Sequence, residues 1–127
     1  PVRHVVPLWD TVERYYYRGG TVNMRDGAVA MAEGDWDLAA RCWQREYDSR
    51  KGRQKMRAAF NLVLYHEMKG DIAGALKQLK DVQDAFAGKY ASSGKDVPTE
   101  WHLLKVYEAE LQQKDMIRQK LDLQMAR

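Results

Sequence analysis

Gly34-Asp35-Trp36-Asp37-Leu38-Ala39-Ala40 returns as Gly70-Asp71-Ile72-Ala73-Gly74-Ala75-Leu76, 36 residues further on. Each copy closes one apolar helical pattern and opens another. The glycine can take the left-handed conformation that ends a helix, and the aspartate can cap the amides that start the next. Self-similarity at a period of a few tens of residues points to stacked supersecondary units that bury their cores against each other.

Upstream of the first corner, Thr21 is placed to cap a helix that runs to about Glu33, with Ala28, Val29 and Ala32 as a small-residue face. Gly27 falls inside that helix, where glycine costs up to ~1 kcal/mol relative to alanine. Close approach of a neighbouring helix explains it. Downstream, Trp36, Ala39, Ala40, Trp43 and Tyr47 form a stripe on one helical face. The apolar pattern fails over residues 48–54, a polar connection. Residues 55–69 are apolar over more than half a helical circumference, as expected of a helix sandwiched between neighbours. After the second corner Ile72, Ala75, Leu76, Leu79 and Phe86 stripe a helix to about Gly88.

The ends are read by the same periodicity. Pro1 to Pro7 reads as an extended lead-in. Leu8, Val12, Tyr15 and Tyr16 make a helical stripe over residues 8–18, a capping helix ended by Gly19-Gly20. Tyr17 lies off that stripe and is expected to meet solvent or a partner. Residues 89–97 have loop composition. Leu104, Tyr107 and Leu111 stripe a final region, and an apolar pattern resumes through Ile117, Leu121 and Met125. Either one long helix or two with a turn near Lys114-Asp115 fits, and we take the turn. The reading is all-α: a stack of antiparallel helix pairs, six to seven helices in one domain over 1–127. Repeat one covers 21–47, repeat two 55–88, and a degenerate third pair 99–126.

Composition agrees with a folded domain, since 45% hydrophobic and 31% charged residues argue against wholesale disorder. No apolar run approaches the ~20 residues of a transmembrane helix. The net charge of +3 is mild, and no specific nucleic-acid binding is expected of it. The single cysteine, Cys42, rules out an intramolecular disulfide. The chain begins at Pro1 and not at Met, so we expect a processed form or an excised piece of a longer protein, whose helices could pack on a domain before Pro1.

The paired corners, with Gly27, Gly34, Asp35, Trp36 and Ala39 in one copy and Gly70, Asp71 and Ala75 in the other, resemble the tetratricopeptide repeat. In that family a small residue sits mid-way along the first helix and the turn reads glycine-aspartate-aromatic. This chain departs from the pattern at Asn23 and Asp26, where the family has an aromatic and a leucine, and it lacks the closing proline. The resemblance implies a right-handed stack of antiparallel helix pairs, a superhelix whose concave face binds a protein or peptide. Carried over to this chain, Arg57, Asn61, Leu64 and Met68 of the second copy and Met24, Ala28 and Met31 of the first would face the groove. Arg57 and Asn61 lie one turn apart and would address a peptide carboxylate or backbone. The run from Leu8-Trp9 through Trp36 and Asn61 is also similar to the carboxy-terminal part of some bacterial envelope lipoproteins of no settled activity. That similarity implies a lipid-anchored parent in the cell envelope.

Chemistry finds little foothold. His66-Glu67 begins like a zinc-protease motif, but Gly70 stands where the second histidine belongs. His4 and His102 belong to no ligand-spaced cluster. Glu108 and Glu110 point to different helix faces. Seven positive residues between Arg41 and Arg57 make a basic cluster, most simply a solvated surface. No catalytic residue, metal or cofactor is expected. The function expected is a non-catalytic protein- or peptide-interaction module; the alternative is a structural appendage of a larger envelope lipoprotein.

Overall fold

A computed structural model describes residues 2–7, 11–90 and 97–125, with side chains from Glu13 onward. Among the described residues an all-α body of five helices follows a β-hairpin. Strands β1 (Val2–Pro7) and β2 (Thr11–Tyr16) pair antiparallel, Val2 opposite Tyr16 and Val6 opposite Val12. The helices are α1 (Val22–Ala32), α2 (Trp36–Ser49), α3 (Gly52–Met68), α4 (Ile72–Ala85) and α5 (Thr99–Met125). The connections between α1 and α4 are only two or three residues long. Such short links turn the chain straight back, so successive helices run antiparallel and pack in sequence.

The two glycine–aspartate corners fold alike. Gly34 has φ +77° and Gly70 φ +76°, the left-handed turn that only glycine adopts readily. The Asp35 amide donates to Ala30 O at 2.9 Å, and the Asp71 amide donates to His66 O at 2.8 Å. Each aspartate then caps the following helix: Asp35 accepts from the Leu38 amide at 3.0 Å and Asp71 from the Gly74 amide at 2.8 Å. Thr21 caps α1 through the Met24 amide. These starts and stops agree with the sequence reading to within a residue or two.

Gly27 lies against the indole of Trp43. A Cβ at that position would sit 2.4 Å from Trp43 Nε1, so α1 and α2 meet as closely as the mid-helix glycine implied. Helix α3 is the hub. Its Met56, Ala59 and Val63 pack with α4 and α5, while Ala58, Leu62 and Leu64 pack with α1, α2 and Tyr16. All six are buried, which accounts for a helix apolar over most of its girth.

Four expectations are corrected. Residues 11–16 are a strand, not part of a capping helix over 8–18; residues 8–10 lie outside the described residues. Thr11-Val12-Glu13-Arg14-Tyr15-Tyr16 carries the β-branched Thr11 and Val12 and the aromatic Tyr15 and Tyr16, which favour a pleated chain. The facing alternates with period two: Arg14 and Tyr16 are buried, Glu13 and Tyr15 exposed. The helical spacing of Val12, Tyr15 and Tyr16 is therefore coincidental. Tyr17, expected at the surface, is half-buried against Phe60. The polar connection over 48–54 shrinks to Arg50-Lys51, because α2 and α3 extend into it.

The fourth correction concerns the last region, which is a single helix and not a pair, so the described body holds five helices where six to seven were expected. Lys114-Asp115 interrupts the apolar stripe without breaking the backbone, since neither residue is a helix breaker. Lys114 occupies a core-side position because it has an acid to meet there.

Candidate functional site

Alternation along β2 turns Arg14 inward, and the last turn of α3 turns Glu67 to meet it. The two form a bidentate pair: Arg14 Nε donates to Glu67 Oε1 at 3.0 Å and Nη2 donates to Oε2 at 3.2 Å. Two residues of α5 complete the carboxylate's shell. Tyr107 Oη donates to Oε1 and Lys114 Nζ to Oε2, both at 2.5 Å. The Arg14 guanidinium lies 4.5 Å above the Tyr107 ring and also donates to Glu110. Glu67 is fully buried. A buried carboxylate is tolerated only when paired and hydrogen-bonded, and this one has three donor groups.

The pKa directions follow. Burial pushes the Glu67 carboxyl upward, but hydrogen bonds from Arg14, Lys114 and Tyr107 outweigh it and hold the group below the usual carboxylate range. Burial, reinforced by the Glu67 charge, pushes the Tyr107 phenol far above its ordinary value. Burial would lower Arg14, yet its bond to Glu67 drives it upward overall. Glu67 stays ionised, and Tyr107 and Arg14 stay protonated, across the neutral range.

A second clasp lies beside the first. The Asn61 amide brackets the backbone of Tyr17, with Oδ1 accepting from the Tyr17 amide at 2.9 Å and Nδ2 donating to its carbonyl at 2.7 Å. Glu100, in the first turn of α5, accepts from Arg57 Nε at 2.8 Å and from Arg53 Nε at 3.0 Å. Burial opposes ionisation of Glu100, but the two arginines win and its carboxyl too sits below its ordinary value. The Arg57 guanidinium also stands 5.2 Å from the Tyr17 ring. Hairpin, α3 and α5 are thereby tied together by polar contacts at two levels.

Between these elements lies a cleft of about 330 Å³. Tyr15 and Tyr17 form one wall, Leu103 and Val106 of α5 the other, with Phe60 and Tyr107 between them. The lining is mostly apolar. Its outer edge is left uncovered: Tyr15 is 46% exposed, Leu103 40% and Val106 54%.

The expected groove residues take other places. Met24 and Leu64 are fully buried in the core shared by α1, α2 and α3, and Met31 is buried with them. Asn61 is fully buried and spent on Tyr17. Met68 and Ala28 are half-buried against the same core. Arg57 is bound to Glu100. This set does not form an open concave face, because α3 is covered by helices on both sides and by the segment after β2. Of the basic cluster, Arg50 meets Glu46, Lys55 meets the Tyr47 carbonyl and ring, and Arg53 and Arg57 share Glu100. Those four serve the α2–α3 corner and the α5 start.

The sequence reading did not bring Tyr15, Phe60, Leu103 and Val106 together as a cleft, and it set Tyr15 on a helical stripe. One signal was available: Leu103 and Val106 are apolar yet lie off the Leu104, Tyr107, Leu111 stripe, so α5 carries more apolar surface than one core needs. Among the described residues no helix is long and apolar enough to cross a membrane.

A family model described as a domain of unknown function, DUF6340, matches residues 25–113. The match runs from within α1 to the middle of α5 and takes in Glu67, Glu100 and Tyr107. No curated protein and no solved structure matches the chain.

Proposed function

We propose that this chain, which belongs to the DUF6340 family, is a non-catalytic protein-interaction module of tetratricopeptide-like helix pairs that binds its partner in the cleft between β2 and α5. The tetratricopeptide-like stacking is supported by the two corners 36 residues apart, with matching glycine φ and matching aspartate caps. The binding role rests on one observation above all: an apolar cleft whose rim, Tyr15, Leu103 and Val106, is exposed. Apolar surface gathered in a concavity is where partners gain most of their affinity.

The polar floor supports binding over chemistry. A general acid or base works best with a pKa near the ambient pH. Glu67 and Tyr107 are driven in opposite directions away from it. Their bonds fix the walls of the cleft, which lowers the ordering cost of binding. The partner that suits the cleft is an amphipathic helical segment, since α5 offers Leu103 and Val106 one turn apart as a helix-packing ridge.

The test is selection of a displayed library of amphipathic peptides on the protein, with Val106→Glu as the counter-screen. Peptides that bind the protein and lose the variant support the reading. A library whose binders are all indifferent to Val106→Glu overturns it.

A second reading, a structural appendage of a larger envelope protein, draws on Val22 and Val29. These lie seven residues apart on α1, the helix at the end of the row, and are 61% and 58% exposed. Lysine at both should leave the isolated module's stability unchanged and loosen it from the rest of a longer parent. Unchanged protease resistance of that parent would count against this reading.

A further inference from the structure

The cleft and the second clasp adjoin along each element that builds them. On α3, Arg57 lies one turn before Phe60, and on α5, Glu100 lies one turn before Leu103. Tyr17 belongs to both. Its ring lies 5.6 Å from that of Phe60 in the cleft wall and 5.2 Å from the Arg57 guanidinium. The clasp is therefore one end of the cleft, about 5 Å of helix rise from the apolar lining.

That end carries more positive charge than its own carboxylate neutralises. Glu100 is buried and accepts from Arg53 Nε at 3.0 Å and from Arg57 Nε at 2.8 Å, so two guanidiniums share one acid. Among the described residues the hydrogen bonds of both arginines run through Nε, which leaves their Nη groups for another acceptor. The Arg53 side chain is 63% exposed and that of Arg57 31%. A guanidinium held along one edge by a buried acid presents its remaining donors in a set direction, so little rotamer freedom is lost when a second anion binds. The other end of the cleft has the opposite sign. Glu13 is exposed there, and the Glu110 side chain, which accepts from Arg14, is also partly exposed.

We propose that the cleft takes an acidic amphipathic helix, which sets an apolar side chain against Phe60, Leu103 and Val106 and a carboxylate, three or four residues away, on Arg53 and Arg57. This rests on the cleft being the binding surface and adds the charge of its occupant. Three or four residues of partner helix rise ~5–6 Å, which matches the separation between the apolar lining and the arginines. A carboxylate is a strong acceptor for guanidinium N–H groups, whereas a basic side chain at that place would meet two cations. Carboxylates at the far end disfavour an acid there, so charge also fixes which way the helix lies.

The experiment uses the peptides that bind the protein and lose Val106→Glu. Each should carry an aspartate or glutamate three or four residues from the apolar residue on which its binding depends. Changing that acid to glutamine should weaken binding at least about tenfold, and to lysine further still. In Arg53→Gln the acidic and glutamine peptides should bind nearly alike. That variant leaves Arg57 on Glu100, and its circular dichroism should match the parent. The peptide substitutions leave the protein untouched, so they decide the matter even if the variant does not fold. Raising the salt from about 0.05 to about 0.5 M should weaken the acidic peptide more than its glutamine version. Cleft-directed peptides that lack an acid at that spacing, or that bind equally well with glutamine in its place, overturn the proposal and leave the cleft as the binding surface. A selection that yields no peptide sensitive to Val106→Glu removes both.

Discussion

The guanidinium of Arg14 and the carboxylate of Glu67 meet as two parallel hydrogen bonds, 3.0 and 3.2 Å long, between a strand and a helix separated by 53 residues. The pair joins an all-β entry segment to an all-α body, and α5 closes over it with Tyr107 and Lys114. The cleft exists because this joint holds β2 and α5 at a fixed separation.

Glu67→Gln should therefore be among the most damaging single changes. It leaves two buried or half-buried cations facing a neutral amide, and breaking a buried pair on one side costs about 3–5 kcal/mol. The denaturant midpoint should fall accordingly. A loss under about 1 kcal/mol would show that solvent reaches the cluster and that the joint is not structural.

The same cluster makes stability acid-sensitive. The folded state holds Glu67 and Glu100 below their usual value of 4.5, so the unfolded chain takes up protons first as the pH falls. Their contribution is complete above that value and drains away below it. Unfolding midpoints measured from about pH 7 to about pH 3 should be level at first and then fall, with the loss concentrated below about pH 4.5. Glu67→Gln should start lower and fall less steeply. Parallel curves for parent and variant would remove Glu67 from the account.

Asn61→Ala tests the second clasp. Both hydrogen bonds to the Tyr17 backbone vanish, and each is worth about 0.5–1.5 kcal/mol net. The effect should be local. Hydrogen exchange at the Tyr17 amide should accelerate strongly, while amides of α3 such as Leu64 keep most of their protection. Equal acceleration at both sites would mean that the hairpin and the helical body unfold as one unit.

The parts legible in the sequence are those fixed by local chemistry. Gly34-Asp35 and Gly70-Asp71 stop one helix and cap the next through atoms within five residues, so their type alone announces them. The hub role of α3 was legible because burial on two sides leaves an apolar pattern wider than one stripe. The hairpin was not. Val12 and Tyr16, four residues apart, satisfy a helical and a strand period alike over so short a span, and pairing with residues 2–7 decides between them. The site was hidden for a related reason. Arg14, Glu67 and Lys114 read as surface charges until distant segments bring them together, and a charge that belongs to the core looks like any other in sequence. Asn61 and Arg57 were read as groove residues addressing a peptide, but their partners are Tyr17 and Glu100 of the chain itself.

Gly27→Ala sets local preference against packing. Alanine is better by up to ~1 kcal/mol in a helix interior, so propensity alone predicts a more stable protein. The added Cβ, however, would lie 2.4 Å from Trp43 Nε1 and 2.8 Å from Cδ1. Trp43 is fully buried and a flat, rigid ring, so it cannot yield as a flexible chain end would. Overpacking of this kind costs about 1–3 kcal/mol, enough to outweigh the propensity gain. The unfolding midpoint should drop and the tryptophan emission should change as α1 is pushed from α2. Gly19→Ala is the control, since nothing lies within 4 Å of a Cβ there and its stability should hardly move. A stabilised Gly27→Ala would show that α1 and α2 sit further apart than the structure places them, and that the mid-helix glycine has no packing role.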